Sequence, residues 1–245
     1  KVTVQATNEA INRGQVGFVG GGSSFGLGVS AVALLDRRDT DALVSGANLT
    51  DLSGATRWDV SAKNTGEAHI SVTSALASGS ADEDEDDSGG GNVAVNIPVS
   101  LALTRWNTNA RISDSTLAGS GRLDVTALES GVVSNRQEAL TASGDHAGTV
   151  GVALTTHNSD VIARIVESDI QAGQSSLTAR SETLLRAVAL RDGAAENSLN
   201  VITSILKANG ETKAELDETT LQASEINLSA LDTTVRDVLT NGFAE

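Results

Sequence analysis

The chain has no cysteine, no methionine and no tyrosine, a single proline, and only five aromatic residues: Phe18, Phe25, Trp58, Trp106 and Phe243. Without cysteine there are no disulfides, no thiol catalysis and no Cys-based metal site, although this does not by itself choose a compartment. Compact globular cores lean on aromatics and methionine to fill irregular gaps. A chain that relies on Val, Leu, Ile and Ala instead points to a narrow, regular interior of stacked, similar side chains. Basic residues are also scarce: 17 against 32 acidic ones give a net charge of −15. That charge repels phosphate backbones and anionic lipid surfaces, so no nucleic-acid partner is expected. No apolar run approaches the length of a membrane span, and Lys1 to Ala6 read as a strand, not as a signal peptide. The pattern is already under way at the first residue and still running at the last, which predicts that the chain is part of something longer.

What is present in abundance is self-similarity. The skeleton Ala110, Ile112 and Leu117, followed by Leu123-Asp-Val125-Thr-Ala127, returns as Ala163, Ile165, Ile170, Leu177 and Ala179. It returns again as Ala214, Leu216, Leu221, Leu228 and Ala230, and an earlier copy runs Ala42, Val44, Leu49, Val60 and Ala62. The first three anchors are separated by 68, 53 and 51 residues in successive copies. The long first interval is traced mainly to Ser80–Gly91, an acidic, Gly-terminated stretch read as an inserted loop. Val2-Thr-Val4-Gln-Ala6 matches Leu123 to Ala127, so the chain opens in the tail of a preceding unit. The resulting division is 1–24 for that tail, then 25–91, 92–147, 148–197 and 198–245 as units of one continuous solenoid.

Within a unit the period is two. Val93, Val95, Ile97, Val99, Leu101 and Leu103 alternate with small or polar residues, so one face of an extended segment is continuously apolar. Phe25, Leu27, Val29, Ala31, Ala33 and Leu35 repeat the alternation upstream, and short turns rich in Gly, Ser, Asn and Asp separate the strands. Three or more strands per unit joined by short turns predict an all-β parallel β-helix, or β-solenoid, of about four degenerate units of roughly fifty residues. One coil or two per unit is left open. Ser181–Glu218 is rich in helix formers. Its alignment with strand segments in the other copies predicts strand there too.

With the units laid out, the chain resembles the repeat regions of large bacterial surface and secreted adhesins, of the filamentous-haemagglutinin-like and leukotoxin-type filamentous classes. The resemblance rests on Gly26-Leu-Gly-Val-Ser-Ala-Val-Ala-Leu, then Ala110-Arg-Ile-Ser-Asp-Ser-Thr-Leu, then Leu123-Asp-Val-Thr-Ala, and covers nearly the whole chain. It implies an exported β-helical stalk or filament at a bacterial surface, and carries over no functional residue.

Candidate chemistry is sparse. Asp82, Glu83, Asp84, Glu85, Asp86 and Asp87 form a carboxylate run dense enough to hold calcium, set against the plainer reading of a solvated, self-repelling insertion. Gly26-x-Gly28 and Gly22-Ser-Ser24-Phe-Gly26 superficially match dinucleotide and nucleophile-elbow motifs, but a period-two strand follows where each needs a helix. His69, His146 and His157 fall in different units and read as surface residues. Arg57-Trp58 and Arg105-Trp106, expected at strand ends or beside turns, offer Trp58 and Trp106 as sugar-stacking platforms. The expected function is therefore a structural or adhesive segment of an extracellular bacterial fibre, a stiff rod and not an enzyme. Its expected partners are further copies stacked end to end, its own continuation in a longer chain, or a surface carbohydrate or host protein. The rivals are a carbohydrate-active β-helix enzyme and a calcium-stabilised binding module.

Overall fold

The computed structural model describes residues 1–22, 24–52, 57–79, 92–143, 145–195 and 197–244, and the chain winds through them as a parallel β-helix. The first coil comprises β1 (Val2–Gly22), β2 (Phe25–Ser45) and β3 (Asn48–Leu52), and the second β4 (Trp58–Ser78), β5 (Val93–Ser113) and β6 (Thr116–Gly119). The third holds β7 (Arg122–Ser143), β8 (His146–Val166) and β9 (Asp169–Gln171), the fourth β10 (Gln174–Ala194), β11 (Asn197–Asp217) and β12 (Thr220–Gln222), and β13 (Glu225–Ala244) begins a fifth. Equivalent strands pair in parallel from coil to coil, giving three sheets in the orders β1-β4-β7-β10-β13, β11-β8-β5-β2 and β12-β9-β6-β3. Each sequence unit is thus one coil.

The anchors read from the sequence fall into common rows. Ala42, Ala110, Ala163 and Ala214 stand in register, as do Leu49, Leu117, Ile170 and Leu221. Val4 heads the row Val60, Val125, Leu177 and Leu228. The insertion also falls where expected, because Gly22 pairs with Ser78 whereas Phe25 pairs with Val93. The twelve additional residues therefore enter at the β4–β5 corner. Ser80–Gly91, with the acidic run Asp82–Asp87, lies outside the described residues. The helix-prone Ser181–Glu218 is strand, within β10 and β11 and the turns beside them. Full-length pairing of β10 with both β7 and β13 satisfies its backbone along the whole segment, which outweighs a preference of a few tenths of a kcal/mol per residue.

The two long strands of a coil have 20 to 22 residues each, so a coil is about 70 Å across at about 3.3 Å per residue. Two long sheets lie face to face, and the short third sheet closes one side into a three-walled vertex. That vertex holds the main apolar core, with Trp58, Ile112, Leu117, Val125 and Ile165 buried in it. On the opposite side the long sheets meet directly at the β1–β2 type of corner, and the interior narrows to mostly small and polar residues, Gly28, Ser74, Asn96 and Thr149, with Phe18 and Leu76 set against the glycines Gly26 and Gly28.

An alternating pattern has two faces, and here the structure decides which one is inside. On β2 Phe25, Leu27, Val29 and Leu35, and on β5 the alternate residues from Val93 to Leu103, point outward, while Gly26, Gly28, Ser30, Ala94, Asn96 and Ser100 point in, as do Val32 and Leu34, which pack with Ile70, Ala102 and Val133. The same holds in the next coils, so the rows Leu27–Val95–Gly148–Leu199 and Ala33–Leu101–Leu154–Ile205 lie on the outer wall. Beyond Arg37 the polarity reverses: charged and polar residues face out, and Ala42 and Val44 join the vertex.

Candidate functional site

The densest chemistry is inside the wall, midway between vertex and thin edge. Asp36 and Arg38 on β2, Thr104, Trp106 and Thr108 on β5, His157 and Ser159 on β8, and Glu129 on β7 all point inward. Parallel register stacks Arg38 on Trp106 on Ser159, and Asp36 on Thr104 on His157. The Asp36 carboxylate pairs with Arg38 Nη2 at 2.7 Å and accepts from Arg38 Nε at 3.1 Å, with both side chains almost wholly buried. It also accepts from Asn12 Nδ2 at 2.8 Å and from Trp106 Nε1 at 3.0 Å. Four donors surround one carboxylate, the condition under which a buried ion pair is tolerated. Arg38 donates in addition to the Glu67 carbonyl at 3.1 Å, and its guanidinium lies 4.4 Å from the centre of the Trp106 ring.

Trp106 meets His157 edge-on, with ring centres 5.0 Å apart. His157 Nδ1 is 2.7 Å from Thr104 Oγ1, and its Nε2 is 3.8 Å from Glu129 Oε1. Glu129 accepts from Thr108 Oγ1 at 3.4 Å and from the Ser159 hydroxyl. Space for this cluster comes from the opposite wall, where Gly66 and Gly131 are partners in register. A Cβ on Gly66 would sit 1.3 Å from Arg38 Nη1, and one on Gly131 would sit 2.5 Å from the Trp106 ring. Charge and bulk on one wall are matched to missing side chains on the other. The cluster ties the first three coils together, and the four donors on Asp36 leave it no role as a free base. A small cavity of about 110 Å³ reaches His157 and Ser159 from the side of Asp232, Thr234 and Arg236.

Trp106 is therefore not beside a turn but inside β5, and its indole is fully buried. Trp58 does open β4, yet it packs in the vertex and is 2% exposed. Neither ring presents a face on which a sugar could stack, because both fill the interior that the scarcity of other aromatics leaves to them. His157 is likewise buried and not a surface residue, whereas His69 faces outward, 3.0 Å from Glu67, and His146 is exposed. Asp145, the sequence neighbour of His146, accepts instead from the Asn92 backbone N–H at 2.7 Å. Gly26 and Gly28 lie within strand β2, so neither glycine motif opens a helix.

A second acidic feature escaped the sequence reading. At the corner after each second long strand, Gly46, Asp114, Glu167 and Glu218 occupy equivalent left-handed positions with φ of 63°, 50°, 48° and 44°. Asp114 N–H donates to the Val166 carbonyl and Glu167 N–H to the Asp217 carbonyl, which stacks these corners one above another. The Glu167 carboxyl is held above the ordinary carboxylate value, first by its hydrogen bond with Asp114 and then by the negative charges of Asp114 and Glu218. Among the described residues no three or more His, Asp or Glu side chains converge to hold a metal ion. Among the described residues there is no helix long and apolar enough to cross a membrane.

The charged cluster could have been anticipated from one signal. Gly66 and Gly131 each follow the Val60 and Val125 anchor by six residues, a coincidence of glycines at one register position. The acidic corner was visible once copies were aligned, since Asp114, Glu167 and Glu218 each follow their Ile or Leu anchor by two residues. No family model, no curated protein and no solved structure matches the chain.

Proposed function

We propose that this chain is a structural and adhesive segment of an extracellular bacterial surface fibre, a stiff β-helical wall that lengthens as coils are added. The observation that carries this reading is the unbroken parallel register from β1 to β13, with the edge strands of every sheet lacking an outer strand partner among the described residues. Parallel strands hydrogen-bonded along the axis give a stiff body whose length scales with copy number. Unpaired edges are templates for a further coil or a further copy. The acidic composition and the resemblance to filamentous adhesin repeats favour the bacterial surface as its setting. Because each coil of about fifty residues advances only about 4.8 Å, the segment is broader than it is long. Its mechanical role comes from breadth, with two long sheets cross-tied by buried side chains. Electron microscopy and fibre diffraction of the purified chain test the reading. Axially stacked particles with a 4.8 Å meridional repeat are expected, and separate particles that never join through their ends would overturn it.

A further inference from the structure

Outward-facing Leu, Val, Ile and Phe are out of place on the wall of a solvated fibre, and on the β11-β8-β5-β2 sheet they are concentrated in one area. Phe25, Leu27 and Val29 are 60%, 55% and 58% exposed, and Leu199 is 73% exposed at the far edge. Eleven residues on each of four strands make this area about 36 Å by about 19 Å, or about 700 Å² in plan, mainly apolar, with His146, Asn197, Thr156 and Lys207 at its margins on β8 and β11. Single exposed apolar residues are ordinary, but a contiguous patch above a few hundred Å² marks a contact surface. Behind it the inward side is mixed: Gly26, Gly28, Ser30 and Asn96 stand there, followed by Val32, Leu34 and Ala102, which pack with Ile70 and Val133 in a small apolar cluster, so the largest apolar side chains of β2 here, Phe25, Leu27 and Leu35, are on the outside.

We infer that this face binds the same face of a second copy of the chain, side by side. This does not depend on the fibre reading, because the contact is made by outward side chains and not by the backbone groups of the edge strands β2 and β11. Two observations select a second copy as the occupant. The area is close to the roughly 800 Å² per partner of a standard specific interface. The surface is a flat, period-two wall, whose natural complement is another sheet packed about 10 Å away.

Charge also fixes the orientation. The rows past the patch begin with Arg37 and Arg105 and continue with Asp39, Asp160 and Glu211. Overlaying two whole sheets with strands in the same direction would set these carboxylates against each other. A two-fold axis along the row Ala31–Val99–Val152–Thr203 reverses the strands instead. Apolar half then covers apolar half, the charged halves project on opposite sides, and Phe25 comes over the second copy's Arg37.

The chain's lack of cysteine makes a clean test possible. A Val99→Cys variant places a lone thiol beside the two-fold axis, and Thr73→Cys places one on the exposed outer face of β4. A short bis-maleimide is expected to join copies through position 99 and not through position 73. Copies stacked end to end would hold their position-99 thiols too far apart for the reagent. Analytical ultracentrifugation at tens of micromolar is expected to show paired wild-type chains, and monomers for Leu27→Lys combined with Val150→Lys, with circular dichroism and melting of the monomer unchanged. The inference is overturned if wild-type chains do not pair, if the lysine variant still pairs, or if the two thiols cross-link equally. Collapse of the lysine variant would also overturn it, since outward residues are not needed to fold, and the thiol comparison still reports on the unaltered surface. Co-sedimentation with neutral phosphatidylcholine vesicles in place of pairing would assign the face to lipid.

Discussion

At the vertex, where the short strands join the two long walls, Ile112, Leu117 and Val125 fill the interior and stack on like residues of the next coil. Tens of ångströms away across the same coils, the walls near the β1–β2 type of corner are joined by amides and hydroxyls. Asn96 Nδ2 crosses to Ser74 Oγ at 3.0 Å and to the Leu140 carbonyl at 3.3 Å. Gln137 Nε2 reaches Ser100 Oγ at 2.8 Å and the Val152 carbonyl at 2.6 Å, and Thr141 meets Thr149 at 2.9 Å. Gln137 also lies beside Pro98, where the β5–β8 ladder is interrupted because proline supplies no N–H. Apolar filling needs thickness, since a leucine on each wall holds sheets about 10 Å apart. A thin edge built from Gly and Ser cannot provide it, and directional bonds across the gap take over. The same strands are consequently held by packing at one end and by cross-wall hydrogen bonds at the other, with the Asp36–Arg38–Trp106 cluster, and the small apolar cluster of Ile70, Ala102, Val133 and Leu185 beside it, as the seam between the two regimes.

Breaking the seam has the largest expected effect. Asp36→Ala strands a buried guanidinium and the Trp106 N–H, and is expected to cost about 3–5 kcal/mol in chemical denaturation. The two regimes themselves are separated by the pair Ile112→Ala and Asn96→Ala. The first leaves a cavity in the vertex and should cost about 2–5 kcal/mol. The second removes one buried donor at the thin edge and should cost about 1–3 kcal/mol. A larger loss for Asn96→Ala than for Ile112→Ala, measured as denaturation midpoints at constant slope, would contradict the division. The smallest effect belongs to the acidic corner. Because the folded-state value of Glu167 is raised, its contribution is fully present below the ordinary carboxylate value and lost as pH rises through the folded value. Glu167→Gln should therefore raise the melting temperature slightly at neutral pH and leave it unchanged at acidic pH. A gain at acidic pH would show that the corner acts through something other than charge.

The sequence by itself determined the β-solenoid, the length of its unit, the rows of anchors and the place of the insertion. The reason is that a parallel solenoid sets equivalent residues of successive coils against one another, so spacing along the chain becomes register in space. The strand state of Ser181–Glu218 was legible in the same way, from copies that pair, against its own propensity. Which face of each alternation is inside was decided only by tertiary structure. A period of two is symmetric about the strand, and Val93 to Leu103 would read identically pointing in or out. Trp58, Trp106 and His157 were placed by the same agency. A lone large side chain goes wherever the opposite wall leaves room, and for Trp106 that room is made by Gly131, in a strand paired to a different sheet.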